Sequence, residues 1–256
     1  MGEIVWWQAI LLGLIQGLTE FLPVSSSGHL LLTRQLMGLG DIPPAFDIML
    51  HIGTLVAVLI CLRKDVADVF VHPKKILFLI IATIPAVITG FLLKDWIEDV
   101  FYDGSFLWIT FLMTAVILLA CEIIEKVREN KKKPLMDVGY VSSVSMGLMQ
   151  AVALFPGLSR SGCTIFGGVA VGAKREQVAS FSFLMSIPVI LGGAVLSIGD
   201  LDFSIWPMML LGMLFSFLGG MFAVKLMLRL ISKANYKWFS LYLVAASIFS
   251  LVMFTL

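Results

Sequence analysis

The sequence predicts an all-α integral membrane protein, built as an inverted-topology repeat with six transmembrane helices and two re-entrant helical hairpins. Three features of the chain support this fold: its composition, the distribution of its charges and a duplicated segment. Of the 256 residues, 59% are hydrophobic and 14% are charged, and the mean hydropathy is +1.01. A soluble domain of this size does not need so much apolar surface, so we expect the chain to lie in a bilayer.

Six stretches are long and apolar enough to span a membrane. In chain order they are 45–62, 76–93, 106–125, 178–198, 205–231 and 238–256. Gly or Pro interrupts several of these stretches, for example around Pro85 and around Pro188. The chain as a whole, 1–256, is expected to form a single membrane domain.

The charges are distributed unevenly between the loops. If the six stretches alternate in direction, one side of the membrane receives most of the basic residues, namely Arg63, Lys64, Lys74, Lys75, Lys126, Arg128, Lys131, Lys132, Lys133, Lys174, Arg175, Lys225, Arg229, Lys233 and Lys237. The opposite loops carry Asp41, Asp95, Glu98, Asp99, Asp103, Asp200 and Asp202, with Lys94 as their basic residue. The positive-inside rule places the basic loops in the cytoplasm and both termini outside. The net charge of +1 does not indicate a nucleic-acid partner, and we expect none.

One segment occurs twice, as GLIQGLTEFLPVSSSGHL from Gly13 and as GLMQAVALFPGLSRSGCT from Gly147. At this constant offset eight positions are identical: Gly13, Leu14, Gln16, Phe21, Ser25, Ser27, Gly28 and Gly38 recur as Gly147, Leu148, Gln150, Phe155, Ser159, Ser161, Gly162 and Gly172. Three positions differ in chemistry, because Glu20, Ser26 and His29 are replaced by Leu154, Arg160 and Cys163. Internal similarity at a fixed offset indicates a structural repeat. The differences predict a composite site between two repeats.

The predicted topology requires each copy to enter and leave the membrane on the same side. The segments 3–38 and 137–172 are each long enough for a helical hairpin that is broken by Pro, Ser and Gly at its middle, and such broken backbone is tolerated where protein buries it. With three spans per half, the second half is inverted relative to the first. We expect repeat one at 1–128, a linker at 129–134 and repeat two at 135–256.

The first hairpin carries acid, amide, hydroxyl and imidazole groups around its turn. Gln16 and Glu20 are four residues apart, so they share one helix face. The run SSSG, ending at Gly28, then opens a second helix, whose N-terminus attracts anions such as phosphate. His29 follows directly and is either functional or a satisfied core histidine. We expect His51 and Asp47, on one face of the next helix, to be weaker candidates for the same cavity.

The second hairpin offers a cation at the equivalent place. Arg160 in the run SRSG is suited to a bidentate contact with phosphate. A charged group within a membrane segment is costly, so function is the default interpretation of Glu20 and Arg160, although they could form a purely structural ion pair. The predicted phosphate-binding set is Ser25, Ser27, Gly28, Ser159, Ser161, Gly162, Thr164 and Gln16. The alternative for the serines is that they only cap helices.

The motifs EFLPVSSSGHL at 20–30 and PGLSRSG at 156–162 resemble those of the undecaprenyl-diphosphate phosphatase family, also called the bacitracin-resistance protein family. Gln16 takes a variant that the first motif position of the family permits, and LHIGT at 50–54, ATIPA at 82–86 and FSFLMSIP at 181–188 extend the match. The resemblance implies hydrolysis of a polyprenyl diphosphate lipid, undecaprenyl diphosphate, to the monophosphate, which recycles the lipid carrier of cell-wall synthesis. It also implies the bacterial cytoplasmic membrane, a site open to the outer face and a divalent cation, Mg²⁺ or Ca²⁺.

The resemblance implies a role for each of these residues. Ser26 is the expected nucleophile, and His29 could take its proton or protonate the leaving phosphate. Glu20 would hold the cation or orient His29, and Arg160 would stabilise the charge that develops on the phosphate. Attack by His29, or directly by water, stays open.

A different class of function uses the same architecture. Inverted repeats with broken helices that meet at the midplane are also typical of transporters, so a lipid-phosphate or anion transporter is the alternative. Such a carrier would have no need for Ser26 beside His29 and Glu20. Gly212, Gly219 and Gly220 could form a helix-packing face, and a homodimer is possible.

Overall fold

The computed structural model describes residues 4–39, 42–196, 205–230 and 235–255. Within these ranges the chain forms eleven helices and no strand, which confirms the predicted all-α class. The helices are α1 (Trp6–Glu20), α2 (Ser26–Leu36), α3 (Pro44–Cys61), α4 (Arg63–Val71), α5 (Pro73–Phe101), α6 (Leu107–Asn130), α7 (Tyr140–Val152), α8 (Arg160–Ala170), α9 (Arg175–Leu196), α10 (Trp206–Leu230) and α11 (Tyr236–Thr255). The predicted span ends at 198, 231 and 256 lie outside the described residues, as do Asp41, Asp200, Asp202 and Lys233.

Six of these helices, α3, α5, α6, α9, α10 and α11, are long and apolar enough to cross a membrane. They coincide with the six predicted stretches, so the count of spans is confirmed by length and composition. Helices α5 and α9 continue through Pro85 and Pro188, where the sequence suggested an interruption. Neighbouring helices and local adjustments can satisfy the backbone group that a proline leaves unpaired within a membrane helix. The sidedness of the spans stays a prediction.

Helix α4 lies in a stretch that the sequence analysis treated as a basic loop. Its sequence, RKDVADVFV, mixes charged and apolar residues and has no long apolar run. Its last two residues, Phe70 and Val71, are strongly exposed. An amphipathic helix of this kind is hard to distinguish from a charged loop by hydropathy alone.

The two copies of the duplicated segment form two helical hairpins. Helix α1 ends at Glu20 and α2 begins at Ser26, while α7 ends at Val152 and α8 begins at Arg160. Helices α1 and α2 contain 15 and 11 residues, which at about 1.5 Å per residue is too short for a membrane core of about 30 Å. The predicted break of each hairpin at Pro, Ser and Gly is therefore present. Their re-entrant placement in a membrane stays a prediction.

The helices pack in pairs that correspond between the halves. Helix α1 packs on α10 and α7 packs on α5; α3 packs on α10 and α9 on α5; α6 packs on α11. Under the offset of the repeat each pair maps onto its counterpart or onto itself, which supports the predicted duplication. A Cβ added at Gly147 would lie 2.8 Å from the carbonyl oxygen of Ala82, and one at the equivalent Gly13 would collide with that of Gly212. Small residues thus permit close backbone contact in both halves.

The glycine face of α10 is used within the chain. A Cβ at Gly219 would lie 3.2 Å from Cα of Gly17, and one at Gly220 would lie 3.0 Å from the side chain of Ala57. The prediction of a helix-packing face is therefore correct, but its partners are α1 and α3 of the same chain. The homodimer and the division into repeats at 129–134 stay predictions.

The main hydrophobic cluster includes residues of the first hairpin turn and of helices from both halves. Phe21, which follows the last residue of α1, packs edge-on against Phe183 of α9 with ring centroids 5.3 Å apart. Phe111 of α6 and Met146 of α7 belong to the same fully buried cluster. Because this core draws on both halves, it fixes the first turn relative to the second.

Candidate active site

Three helix ends meet at one carboxylate. Glu20 is the last residue of α1, whereas Ser26 and Arg160 are the first residues of α2 and α8. The Ser26 hydroxyl donates to Glu20 Oε2 at 2.6 Å, and Arg160 Nη2 donates to Glu20 Oε1 at 2.5 Å. The positive ends of two helices therefore converge on the same point, although Glu20 and Arg160 lie 140 residues apart in the chain.

Glu20 is buried and has further polar neighbours. Its side chain is 6% exposed and that of Arg160 is 16% exposed. Gln16 Nε2 donates to Glu20 Oε2 at 3.0 Å and also lies 2.9 Å from His51 Nδ1, which is 3.8 Å from Glu20 Oε2. A charge removed from water in this way requires a partner, because the loss of hydration is otherwise uncompensated. The predicted pairing of Glu20 with Gln16 on one helix face is confirmed.

Helices α8 and α9 hold the guanidinium in place. Arg160 Nη1 donates to the backbone carbonyl of Ser182 at 3.2 Å, so the two terminal nitrogens of the side chain bind different partners. The hydroxyls of Thr164 and Ser182 lie 2.6 Å apart, and Thr164 also donates to the carbonyl of Arg160 at 2.8 Å. These contacts limit the rotation of the planar guanidinium group.

The two turns use the same cap in different backbone conformations. Ser25 Oγ accepts from the backbone N–H of Gly28 at 3.3 Å, and Ser159 Oγ accepts from that of Gly162 at 3.1 Å. Both serines are therefore N-caps, as one of the two interpretations predicted. Ser159 has an ordinary φ of −76°, whereas Ser25 has φ 69° and ψ 101°. A non-glycine residue in such a conformation costs about 1–3 kcal/mol, and such strain concentrates at functional sites.

The remaining serines connect one turn to the other. Ser161 Oγ donates to the carbonyl of Leu22 at 2.9 Å, and the backbone N–H of Gly157 donates to Ser27 Oγ at 3.5 Å. Each of these serines also lies within 3.3 Å of the capping serine of its own turn. The turns thus fix each other through reciprocal contacts of equivalent residues. Phosphate binding by this set stays a prediction.

His29 faces away from the predicted nucleophile. Its Nδ1 lies 2.7 Å from the carbonyl of Ser25, so we assign the ring hydrogen to Nδ1, and Nε2 accepts from the hydroxyl of Tyr242 at 2.6 Å. The two rings stack at 8° with centroids 5.6 Å apart. Within the described residues His29 has no hydrogen bond to Ser26, whose hydroxyl instead donates to Glu20. The expected proton transfer between Ser26 and His29 is not set up in this arrangement.

The sequence is similar to known proteins over most of its length. A model of the bacitracin resistance protein BacA family matches residues 9–249. Undecaprenyl-diphosphatase of Carboxydothermus hydrogenoformans is 40% identical over 246 residues, which cover 92% of each chain. That of Alcanivorax borkumensis is 39% identical, over 93% of this chain and 94% of its own, and that of Thermosipho africanus is 37% identical, over 93% and 96%.

The chain belongs to the BacA family. The resemblance that the motifs indicated is therefore confirmed over nearly the whole chain.

Sequence reasoning missed two residues of this BacA family chain and placed one wrongly. Ser182 and Tyr242 contact predicted site residues but stood out only as polar groups within apolar spans, which is the signal that could have found them. Asp47 was expected beside His51 in the same cavity. It instead forms an ion pair with Arg34, because its side chain meets α2 beyond the site.

The oxygen donors around Glu20 fit a hard divalent cation. Gln16 Oε1 is buried and has no hydrogen-bond partner in the described part of the chain. It lies on the same side chain as the amide nitrogen that contacts Glu20, so an amide oxygen and a carboxylate are adjacent. Mg²⁺ typically binds one or two carboxylates together with waters and substrate phosphates. The described residues of this BacA family chain contain no group of three or more His, Cys, Asp or Glu that would form a cage.

Proposed function

We propose that this chain is an undecaprenyl-diphosphatase, which hydrolyses undecaprenyl diphosphate to undecaprenyl phosphate and inorganic phosphate and so recycles the lipid carrier of the cell wall. One observation carries the assignment of residues. A serine hydroxyl donates to a buried carboxylate that an arginine of the other hairpin also binds. Membership of the BacA family, whose relatives named above are undecaprenyl-diphosphatases, supports the substrate.

In the first step, Ser26 Oγ attacks the terminal phosphorus of the diphosphate. The bond between that phosphorus and the bridging oxygen breaks, and undecaprenyl phosphate leaves with the bonding electrons. The Ser26 proton passes to Glu20 Oε2, which is 2.6 Å from the hydroxyl oxygen. The enzyme then carries a phosphoserine at Ser26 and a protonated Glu20.

In the second step, water attacks the phosphorus of the phosphoserine. The bond from phosphorus to Ser26 Oγ breaks as Glu20 returns its proton to that oxygen, and both protons of the water leave with inorganic phosphate. The free carboxylate and the free hydroxyl are thereby restored. Glu20 acts as base in one step and as acid in the other, as a single positioned carboxylate can.

Arg160 and the two helix N-termini stabilise the charge on the transferred phosphoryl group. Phosphoryl transfer requires positioning and positive charge more than covalent assistance. Arg160 is within reach of a phosphate at Ser26, because both side chains contact the same carboxylate. Helices α2 and α8 begin at Ser26 and Arg160, so the positive ends of both helices lie beside the same anion.

A divalent cation, Mg²⁺ or Ca²⁺, would be held by Glu20 and by Gln16 Oε1. When bound, such an ion neutralises negative charge on the diphosphate. His29 is proposed to act as a positioning residue: its Nδ1–H holds the carbonyl of the strained Ser25, and Tyr242 holds the ring from its other side. This pair fixes the turn that presents the Ser26 hydroxyl.

We further propose that the site opens to the outer face of the cytoplasmic membrane and that both termini lie outside. The distribution of basic residues in the loops supports the orientation of the termini. The apolar surfaces of the surrounding spans would receive the polyprenyl chain from the bilayer.

The proposed function can be tested with purified protein in detergent, where no second compartment exists. An enzyme releases phosphate from undecaprenyl diphosphate there, whereas a protein that only transports does not. With substrate labelled at its terminal phosphate, rapid quenching should trap label on Ser26. Ser26→Ala should lower phosphate release by at least about 10³-fold and abolish the label.

The matched control is Ser105→Ala, in the loop before α6, which should keep both activity and label. Label that persists in Ser26→Ala would contradict attack by serine. Loss of label with normal phosphate release would favour direct attack by water.

A further inference from the structure

A cavity of about 240 Å³ lies at the C-terminal end of α6, which the charge distribution places on the cytoplasmic side. None of the residues around Glu20 lines this cavity. Three basic residues, Arg128, Lys131 and Lys133, form one part of its lining. The other part is apolar and includes Ile123 and Val127 of the same helix. The cavity therefore has a cationic side and a hydrocarbon side.

The chain turns sharply at this point and groups the three cations. The backbone N–H of Lys133 donates to the carbonyl of Arg128 at 3.1 Å, and Lys132 between them has a positive φ of 49°. Arg128 Nη2 donates to the carbonyl of Ala170 at the end of α8, at 3.0 Å, which fixes the guanidinium. In the described part of the chain no carboxylate lies within ion-pair distance of Arg128, Lys131 or Lys133.

Two other basic groups nearby, on α6 and α9, are paired with carboxylates. Lys126 pairs with Glu122 on α6, and Arg175 pairs with Glu125 at 3.0 Å. The three lining cations are thus a local excess of positive charge at the end of a membrane helix. An anionic group would neutralise this positive charge.

An apolar stripe leads from the cavity toward the middle of α6. Val116, Leu119, Ile123 and Val127 follow one face at helical spacing and are 59%, 45%, 54% and 45% exposed. The stripe covers eleven residue steps, about 16 Å of helix, and it reaches the cavity at Val127. A ligand that fits both parts has an anionic head and a hydrocarbon tail.

We propose that this cavity binds the headgroup of an anionic glycerophospholipid whose acyl chain lies along the stripe from Val127 to Val116. Basic pockets beside membrane helices on the cytoplasmic side bind such headgroups, and each nearby cation strengthens the attraction. A soluble phosphate would use the cations and leave the stripe unoccupied. The proposal does not depend on the proposed hydrolysis, because none of these residues belongs to the site at Glu20.

The proposal is tested by counting bound lipid with native mass spectrometry. Delipidated protein in detergent is titrated with phosphatidylglycerol or with zwitterionic phosphatidylcholine. We expect wild-type protein to retain phosphatidylglycerol preferentially, and the double variant Lys131→Gln/Lys133→Gln to bind it about tenfold more weakly at low salt. Arg128 is left unchanged because it also caps α8. Unaltered phosphate release by the double variant confirms that it is folded.

The matched control is Arg63→Gln/Lys64→Gln, which removes two positive charges from the same side outside the cavity. Equal weakening by the control, or no preference in wild-type protein, would overturn the proposal in favour of a general surface potential. Displacement of phosphatidylglycerol by millimolar inorganic phosphate would assign the cavity to a soluble anion and overturn it too. Preferential binding of undecaprenyl phosphate over phosphatidylglycerol would contradict the choice of lipid.

Discussion

The first turn, Ser25 to His29, and the second turn, Ser159 to Cys163, share a pattern of capping and cross-linking serines but differ in chemistry. Each begins with a capping serine, and each sends a second serine to the other turn. They differ at the first helical residue, which is Ser26 in one turn and Arg160 in the other. They also differ at the preceding helix end, where Glu20 corresponds to Leu154. The shared residues build the junction, and these two differing pairs supply acid, hydroxyl and cation to a single centre.

Backbone strain is likewise found at the capping serine of the first turn and not at that of the second. Ser25 has a positive φ and Ser159 does not, and only the first turn has an imidazole that holds the strained carbonyl. At the equivalent of His29 the second turn has Cys163, which is fully buried within the core. The two copies of the segment are therefore similar frames, of which the first carries the acid, the hydroxyl and the imidazole and the second carries the guanidinium.

The largest effect is expected from Glu20→Gln, which removes the acid that the second turn lacks. We expect phosphate release to fall by about 10³-fold, because Ser26 loses its proton acceptor. Arg160 also becomes a buried cation without a counter-charge, which lowers stability by about 3–5 kcal/mol. Activity and thermal unfolding in detergent are the measurements.

Glu125→Gln is the matched control, since it breaks the Arg175 pair at the other end of the molecule. It should lower stability and leave kcat unchanged. If Glu20→Gln retained wild-type kcat, the assigned difference between the two turns would be wrong.

Arg160→Lys tests whether the second turn supplies a planar group or only a charge. A lysine keeps the charge but cannot bind Glu20 and the Ser182 carbonyl together as the fork does. We expect kcat to fall by about 10²-fold. Arg175→Lys serves as the comparison, and near-normal turnover of Arg160→Lys would remove the guanidinium from transition-state stabilisation.

Tyr242→Phe tests the hydrogen bond between His29 of the first turn and Tyr242. The ring stack on His29 is kept and the hydroxyl bond to Nε2 is lost, so we expect a loss of about three- to tenfold in kcat with little change in KM. The chain has only three histidines, so ¹⁵N NMR of labelled protein can resolve the His29 tautomer. We expect the Nδ1–H form to dominate in wild-type protein and a mixture in the variant.

Tyr140→Phe is the control, because Tyr140 contacts only the edge of Phe78 among described aromatic rings. An unchanged tautomer in Tyr242→Phe, together with lowered kcat, would contradict the positioning role and indicate a general packing effect.

The smallest effect is expected from glycine at the two caps. Ser25→Gly relieves the strain of a positive φ while losing a cap, so stability should rise by about 0.5–1 kcal/mol. Ser159→Gly has no strain to relieve and should cost a few tenths of a kcal/mol. Equal losses for both variants, measured by thermal unfolding, would mean that the Ser25 conformation is not strained in the protein.

The fold was largely predictable because hydropathy and charge act over long stretches. The six spans follow from apolar runs, and the breaks after Glu20 and after Val152 follow from Pro, Ser and Gly. Helix α4 was missed because its short mixed sequence has no such run. Pro85 lies within a predicted span, and α5 continues through it because a membrane helix can accommodate a proline.

The residues of the site could be predicted at the positions where the two copies differ. Contacts that depend on the direction of a side chain could not be predicted. Glu20, Ser26 and Arg160 meet as their positions in the turns implied. His29 lies three positions after Ser26 on the same helix. Its imidazole nevertheless contacts Tyr242, which is more than two hundred residues away in sequence. Spacing along one helix gives no information about partners on α9 or α11. Ser182 and Tyr242 could be noticed as polar groups within apolar spans, but their contacts with Arg160 and His29 could not be inferred.

The ion pair between Glu20 and Arg160 has a consequence for biosynthesis. The acid is translated long before the arginine, so a partly made chain has one side of the centre and no cation to balance it. In the proposed mechanism such an intermediate lacks the guanidinium that stabilises the transferred phosphoryl group. Under that mechanism, hydrolysis requires that the second hairpin has also been inserted, because this hairpin carries Arg160.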